Sequence, residues 1–435
     1  MKKILIGAII LLLLIVPHIS AINYQNNYVI LTTNAIVEES QKLDDFIQHK
    51  ESMGFHVLVV TEDDFDHLEG DYPNKKPDKI RQWLIENYQE MGIEYVLLVG
   101  DPTPDTFWRG DGEDIQPFIT EYNIPMKTFR QTDSIIGTFF PNYPLKFLDE
   151  FPSDSYYADL DRDWNPLTKY YCADYFDFNY YRLKNITYEP EVFVGRFPLY
   201  NNSVVALDTI IQKTIDYETS QNTDWRKNTF FAASFYRPND DGAEACQRII
   251  NDIIMPANFS YYRMYMQGSA YDDLDSEYDS EEELRNGTVI NHWKDNYYGI
   301  VGLYGHGSYD HVTIGYSYLK YMKDGYILTS NQTELLNNAY PSIVFLESCD
   351  TGFPEKINIG YNLLKNGAIS VYCPTRLVSN TAHEIVYRTV DKVISGQTIG
   401  ESLYRAKAEI WSYIGIDHYD NLLQFNLYGD PSIFL

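Results

Sequence analysis

The chain has 435 residues and a formal net charge of −28, from 62 acidic and 34 basic residues. Its length allows two or three domains with sizeable cores. The negative charge argues against nucleic acid or an anionic membrane as partner, because like charges repel and the sequence has no basic patch to release counterions. Four cysteines in so long a chain also exclude the dense disulfide scaffold of small secreted proteins.

The first 21 residues have the pattern of a secretory signal. Lys2 and Lys3 form a charged start, an apolar run covers Ile4–Val16, and cleavage after the small residue Ala21 would release the mature chain. The apolar run is shorter than the roughly 20 residues that span a bilayer. An uncleaved anchor is the alternative. We therefore expect a protein outside the cytoplasm, secreted or at the cell surface, without stable membrane insertion once the signal is cleaved.

Predicted elements alternate regularly in the first part of the mature chain. Strands are predicted where β-branched and apolar residues run together, and helices where apolar residues recur at helical spacing. The strands cover residues 27–33, 55–60 and 93–102, and the helices cover residues 37–54 and 77–92. This β-α-β-α-β order is typical of a parallel sheet covered by helices. Residues after 103 are less regular, and we assign residues 22–185 to an amino-terminal α/β subdomain.

The alternation resumes after residue 185. Further strands are predicted over residues 191–198, 229–235, 260–266, 297–307, 340–352 and 367–376. Further helices are predicted over residues 202–220, 241–254, 280–295, 355–366 and 382–413. We therefore predict an α/β fold with three layers (α/β/α), in which residues 186–435 form a second subdomain. Each subdomain is expected to contain a mostly parallel sheet flanked by helices.

Two of the predicted strands in the second subdomain end in residues suited to catalysis. One leads into His306, which stands between two glycines, and the next leads into Cys349. Consecutive parallel strands have their carboxyl ends at the same edge of a sheet, so we expect the two side chains to lie close together. Glycine beside the histidine would let a substrate backbone approach closely and would leave its own N–H exposed.

A cysteine and a histidine at one sheet edge can form a catalytic dyad. The imidazole takes the thiol proton, and the thiolate attacks a carbonyl carbon. The backbone N–H groups of Gly307 and Cys349 are then suited to an oxyanion hole, a contribution of roughly 3–4 kcal/mol in other hydrolases. The alternative is a structural disulfide between Cys349 and Cys373, which ends the next predicted strand. Such a bridge would remove the nucleophile.

Six segments resemble, in the same order, the catalytic domain of gingipain-type cysteine peptidases: "YVLLVGDP", "EVFVGRFP", "GLYGHGS", "VFLESCDTG", "GAISVY" and "NLYGDPSIFL". The resemblance implies a caspase-like fold, with His306 as general base, Cys349 as nucleophile and Gly307 sharing the oxyanion hole with the Cys349 backbone. The family also uses an acidic residue to orient the histidine. Glu191, which opens "EVFVGRFP", is the best match for that residue, and a polar strand-start residue is the alternative.

The same resemblance implies calcium, because members of the family often bind it. Asp159, Asp161 and Asp163 alternate in the segment "YYADLDRDWNP" and offer the hard oxygen ligands that calcium prefers. We expect a structural Ca²⁺ at these residues and no cofactor for catalysis. The alternative is an ordinary solvated loop, in which alternating acids also occur.

These observations predict a secreted cysteine endopeptidase that acts on protein or peptide substrates through an acyl-thioester intermediate. Gingipains prefer arginine or lysine before the scissile bond, but Arg376, in a segment expected to border the pocket, would not favour a basic side chain. The residue preference therefore stays open. One alternative is a non-catalytic extracellular binding protein on the same fold, which the 39 tyrosines would suit. Another is a transpeptidase that uses the same dyad.

Overall fold

A computed structural model describes most of the chain after the predicted signal. The described residues are 27–70, 75–104, 107–108, 114–115, 120–130, 150–161, 188–267, 274–315, 325–379, 381–414 and 419–435. The predicted signal (1–21), the predicted subdomain boundary at residue 185 and Asp163 lie outside these ranges. Within the described ranges, none of the helices combines the length and the apolar character needed to cross a membrane.

The strands of the described residues are numbered in chain order. They are β1 (Asn27–Leu31), β2 (His56–Val60), β3 (Ile93–Gly100), β4 (Phe107–Trp108), β5 (Asp114–Ile115), β6 (Lys127–Arg130), β7 (Glu150–Ser153), β8 (Phe193–Pro198), β9 (Asn228–Ala233), β10 (Phe235–Arg237), β11 (Asp240–Asp241), β12 (Ser260–Tyr265), β13 (Glu282–Glu283), β14 (Ile300–Tyr304), β15 (Gly307–Ser308), β16 (His311–Thr313), β17 (Tyr326–Thr329), β18 (Ser342–Glu347), β19 (Ala368–Pro374) and β20 (Phe425–Tyr428).

The α-helices are numbered in the same way. They are α1 (Asn34–Glu39), α2 (Leu43–Ser52), α3 (Glu62–Phe65), α4 (Lys75–Met91), α5 (Val204–Thr219), α6 (Gly242–Ile249), α7 (Thr288–Trp293), α8 (Ile359–Lys365), α9 (Thr381–Ile394), α10 (Ile399–Ile414) and α11 (Tyr419–Gln424). A π-helical turn, Ile250–Ile254, continues α6. Short 3₁₀ turns cover Ser155–Tyr157, Asp224–Lys227 and Ser330–Leu335.

One large sheet runs through the described part of the molecule. Its eleven strands lie in the order β13-β12-β9-β14-β18-β19-β20-β8-β3-β1-β2. Neighbouring strands are parallel, except that β20 runs antiparallel to β19. The sheets of the two predicted halves are thus joined: β8, the first strand after the predicted boundary, pairs with β3 of the amino-terminal half.

Helices cover both faces of this sheet. Alternate residues of β14 and β18 contribute to two separate apolar cores, as expected when both faces of a strand are buried. Apolar residues of α5 and α8 complete one core, and those of α6, α9 and α10 complete the other. The predicted three-layer α/β architecture is confirmed.

The predicted helices differ from the observed ones at three places. The helix predicted over residues 37–54 is two helices, α1 and α2, because Ser40 has an extended backbone (φ −68°, ψ 130°) that ends α1. The Ser40 hydroxyl accepts the N–H of Leu43, the first residue of α2. The helix predicted over 280–295 is limited to α7, and β13 occupies part of the remainder. The helical segment predicted over 382–413 is divided into α9 and α10 by a turn at Gly396, whose φ of +90° favours glycine.

Candidate active site

The two candidate catalytic residues follow neighbouring strands in equivalent register. Tyr304, the last residue of β14, pairs with Glu347, the last residue of β18. His306 and Cys349 each lie two residues beyond these partners, so the parallel sheet places both at the same edge. Buried strands and their register thus bring together two residues that the sequence analysis expected to meet.

Gly307 packs directly against the backbone of the candidate nucleophile. A Cβ atom at position 307 would lie 2.5 Å from the Cys349 carbonyl oxygen and 2.8 Å from the Ser348 Cβ. A side chain there would therefore push the two loops apart, and glycine is required by this close approach rather than by an unusual φ. The loop that carries His306 continues into the short hairpin strands β15 and β16.

The His306 imidazole is held by a backbone carbonyl. Its Nε2 atom lies 2.9 Å from the carbonyl oxygen of Tyr236, and the two rings meet edge to face at a centroid distance of 5.8 Å. A carbonyl oxygen can only accept, so in the neutral imidazole Nε2 carries the hydrogen and Nδ1 is the basic atom.

Burial has the largest effect on the basicity of this imidazole, and neighbours from the β10–β11 hairpin modify it. Burial lowers the pKa of His306 and the Arg237 guanidinium lowers it further, whereas the Tyr236 carbonyl and the Asp240 carboxylate raise it. The net result is a pKa below the ordinary value of histidine. Asp240 is an acidic residue that raises the pKa of His306, and it was not predicted from the sequence.

Cys349 is a half-buried free thiol. Its Sγ accepts the Val378 N–H at 3.4 Å and lies 3.8 Å from the Val378 carbonyl oxygen. Burial, with smaller contributions from the Asp350 and Glu347 carboxylates, raises the pKa of the Cys349 thiol to about 11. At neutral pH this cysteine is a thiol, not a thiolate. Asp350, the next residue, has a φ of 60°, which turns the chain sharply after the cysteine.

The disulfide considered as an alternative does not form. Cys246, Cys349 and Cys373 are all free in the described part of the chain. Cys373 is buried in β19, where its Sγ packs close to Gly352 and Gly360.

A buried carboxylate and a second histidine lie behind the dyad. Glu347 is 2% exposed, and its Oε1 lies 2.5 Å from Nδ1 of His383 in the first turn of α9. The Tyr236 hydroxyl donates to the Glu347 carbonyl oxygen at 2.7 Å and lies 3.3 Å from Oε1. Glu347 lies in the segment "VFLESCDTG" and His383 in the helical segment predicted over residues 382–413, but only the fold brings them together.

The sequence as a whole matches a known enzyme family. Residues 22–435 fit the model of peptidase family C25. The chain belongs to this family. It is accordingly a cysteine-type peptidase, a hydrolase whose substrates are proteins or peptides, and the predicted resemblance to gingipain-type peptidases is confirmed. Membership of C25 also removes the support for a purely non-catalytic binding protein. No curated protein sequence matches the chain significantly.

Three solved structures of proteases share the fold. The Arg-specific cysteine proteinase gingipain R (RgpB) superposes with a TM-score of 0.63 at 18% identity, over 94% of this chain and 78% of that one. A complex of Porphyromonas gingivalis RgpB pro- and mature domains gives 0.62 at 16% identity, over 94% and 80%. A structure described only as a protease gives 0.58 at 14% identity, over 94% and 78%. At these identities the likeness establishes the fold and not the substrate.

Glu191 does not lie beside the His306 imidazole. It stands just before β8, and three strands separate β8 from β14 in the sheet. At 4.7–4.9 Å between neighbouring strands, the two strand positions are roughly 19 Å apart. The Glu191 carboxylate instead accepts the Leu160 N–H at 2.5 Å. The expectation that Glu191 orients the imidazole in this C25 chain is corrected by that separation.

Glu191 belongs to a cluster of three carboxylates. Its ligand atom and those of Asp159 and Asp161 all lie within 4.8 Å of one another. Burial raises the pKa of Glu191, and the nearby Asp161 charge adds to this. Two of the three predicted calcium ligands are thus brought together with a third acid that was predicted for another role.

The positive charge of Arg376 is paired with Glu355. Its guanidinium contacts both carboxylate oxygens of Glu355, at 2.5 and 3.1 Å, and lies 4.3 Å from the centre of the Phe353 ring. Its carbonyl oxygen accepts the Asp350 N–H at 3.2 Å. Because the charge is paired, Arg376 repels a basic substrate side chain less than the sequence analysis assumed.

Proposed function

We propose that the protein is a secreted endopeptidase in which Cys349 is the nucleophile and His306 the general base. The observation that supports this best is the close approach of Gly307 to the Cys349 carbonyl. Because Gly307 directly follows His306, this approach brings the loop of the proposed base against the backbone of the proposed nucleophile. The charged and apolar pattern of the first 21 residues supports export.

The proposed reaction proceeds through an acyl-enzyme. Nδ1 of His306 takes the thiol proton while Sγ of Cys349 bonds to the scissile carbonyl carbon. The backbone N–H groups of Gly307 and Cys349 are proposed to bind the oxyanion of the tetrahedral intermediate. The C–N bond then breaks, and the imidazolium gives its proton to the leaving amine. Water, deprotonated by the same imidazole, hydrolyses the thioester to a carboxylic acid and restores the thiol.

The protonation states of the resting dyad favour proton transfer during attack over a preformed ion pair. The Cys349 pKa is raised to about 11 and the His306 pKa is lowered, so both groups are neutral near pH 7. Sγ also has to turn from Val378 toward the substrate carbonyl. Substrate binding at the 376–379 segment would release that contact and start the reaction.

Substitution of the two residues tests this proposal. Cys349→Ala and His306→Ala should each reduce hydrolysis of a mixed peptide library at least 10³-fold with little change in melting temperature, because neither side chain can be replaced by water. Cys246→Ala, which removes another buried free thiol, is the matched control and should retain activity. Hydrolysis that survives in Cys349→Ala would refute the proposal. Transfer of the acyl group to an added amine in place of water would instead identify a transpeptidase.

We also propose that Asp159, Asp161 and Glu191 hold a structural Ca²⁺. Three carboxylates this close repel one another unless a cation or a proton compensates them, and oxygen ligands suit calcium. Such an ion would connect the turn after β7 to the segment that enters β8.

A further inference from the structure

A chain of contacts connects α9 to the His306 imidazole through Tyr236. Nδ1 of His383 lies 2.5 Å from Oε1 of Glu347, and the Tyr236 hydroxyl bonds to both the carbonyl and the carboxylate of Glu347. The carbonyl oxygen of the same tyrosine is the acceptor for Nε2 of His306. One residue, Tyr236, therefore contacts the buried acid with its side chain and the catalytic base with its backbone.

Packing alone does not explain this arrangement, because burying charged groups costs free energy. Glu347 is 2% exposed at the end of a strand whose other residues are apolar or small. A buried ion pair contributes little to stability relative to apolar residues of similar size, because both charges lose their hydration. A function in fixing geometry explains the pair better than a contribution to stability.

The aromatic rings also leave Tyr236 little freedom. Its ring lies between the two imidazoles, 5.8 Å from the centre of His306 and 5.5 Å from that of His383, with edge-to-face contacts to both. The Glu347 carbonyl, which accepts the tyrosine hydroxyl, also lies 3.5 Å from the Gly305 N–H in the loop of the catalytic base. Movement of Glu347 would therefore affect the His306 loop in two ways, through Tyr236 and through Gly305.

We propose that Glu347 and His383 are positioning residues, which fix the Tyr236 carbonyl and thereby hold His306 in the tautomer and orientation needed for proton transfer. This inference rests on the proposed function of His306 as general base. The three residues act on the proton-transfer step, so their loss should lower kcat and leave KM nearly unchanged.

The protonation of the pair agrees with this assignment. Burial lowers the pKa of His383, but the Glu347 carboxylate outweighs that effect and the net pKa is raised. Burial raises the pKa of Glu347, and His383 and the Tyr236 hydroxyl partly offset the rise. The Glu347 carboxylate thus favours the protonated form of His383.

Tyr236→Phe is the decisive variant, because it removes one hydroxyl and keeps the ring and the carbonyl. Tyr157→Phe is the matched control, since it removes a buried hydroxyl that donates to the Pro125 carbonyl elsewhere in the molecule. The full-length mature protein would be treated with iodoacetamide, and the rate of Cys349 alkylation would be followed by mass spectrometry. We expect the alkylation rate to fall roughly tenfold in Tyr236→Phe, which corresponds to the loss of one hydrogen bond worth about 1.4 kcal/mol. The rate should be unchanged in the control.

Side-chain ¹⁵N NMR reports the tautomer of His306, which a general loss of stability would not change. In the wild type, His306 should be the tautomer with hydrogen on Nε2, and in Tyr236→Phe and Glu347→Gln it should become a mixture of tautomers. Equal alkylation rates and an unchanged tautomer in both variants, with a large loss in His306→Ala, would overturn the positioning proposal alone. Alkylation that does not depend on His306 at all would overturn the proposed dyad and the positioning proposal with it.

Discussion

At the scale of single residues, the pKa values of the two proposed catalytic groups are shifted in opposite directions. The Cys349 thiol keeps its proton because burial raises its pKa to about 11. The His306 imidazole stays unprotonated and basic because burial and Arg237 lower its pKa. The proposed base is thus neutral over a wider acidic range than an exposed histidine would be, and in the proposed mechanism the thiol depends on that base for activation.

The acid limb of the pH profile should respond to the two charged neighbours of His306 in opposite directions. Activity requires the neutral imidazole, so kcat/KM should fall as the pH drops through a pKa below the ordinary 6.5 of histidine. Arg237→Gln removes a cation that lowers this pKa, and the limb should move to higher pH. Asp240→Asn removes an anion that raises it, and the limb should move to lower pH. Profiles of kcat/KM from pH 4 to 9 measure both, and shifts in the same direction would contradict the assignment.

Only part of the site could be predicted from the sequence. His306, Gly307 and Cys349 could be identified because each follows a strongly apolar strand, and parallel strands bring their ends to one edge. Tyr236 and Asp240 carry no such local signal. Tyr236 reaches the imidazole, and Asp240 acts on its pKa, because β9, the strand that precedes both residues, neighbours β14 in the sheet. Strand order is a long-range property.

At the scale of elements, the long apolar strands were predictable, whereas the short strands and the helix limits were less so. Apolar runs such as β3, β14, β18 and β19 are buried on both faces and stand out in the sequence. β20 was not predicted, because it is a short segment whose strand character depends on pairing with β19 and β8. Glu191 was assigned to the wrong role for the same reason: its segment is recognisable, but the position of β8 in the sheet is not.

The carboxylate cluster predicts a calcium-dependent stability that is local to the β7–β8 region. In the presence of calcium at 100 times its Kd, the ion should add about 2.7 kcal/mol to the free energy of unfolding. Removing it with EGTA should lower the melting temperature of the wild type, measured by differential scanning calorimetry. In Glu191→Gln the chelator should have no effect, whereas Asp66→Asn, at an exposed carboxylate bound to Lys79, should respond like the wild type. Identical wild-type melting curves with and without EGTA would refute the calcium site.

At the scale of the whole molecule, a buried charged network connects distant parts of the chain. Nζ of Lys50 is fully buried and lies 2.7 Å from Glu218 in α5 and 2.6 Å from Asp430, beyond β20. The Tyr28 hydroxyl of β1 donates to the same aspartate at 2.9 Å. Segments from the start, middle and end of the described chain therefore depend on one cation.

Loss of that cation should destabilise the whole fold. Lys50→Met would leave the buried Asp430 carboxylate without a cation and Glu218 with only His49 beside it, and should reduce the free energy of unfolding by about 3–5 kcal/mol. Lys42→Met removes an exposed lysine near the same helix, paired with Asp45 at the surface, and should cost less than about 1 kcal/mol. Urea unfolding followed by tryptophan fluorescence measures both. Equal losses in the two variants would show that burial of the Lys50 network contributes nothing.

The position of β20 has a consequence for how the molecule is made. This strand comes last along the described chain, yet it lies between β19 and β8, in the interior of the sheet. During synthesis from the amino terminus, the strands on either side of it emerge first and have no partner to join them. The pairing of β20 with β19 and β8 requires contacts that span most of the sequence, and such contacts form slowly. A nascent chain would therefore hold two incomplete sheets with open edges, and chaperones that shield such edges would have their greatest effect before β20 is synthesised.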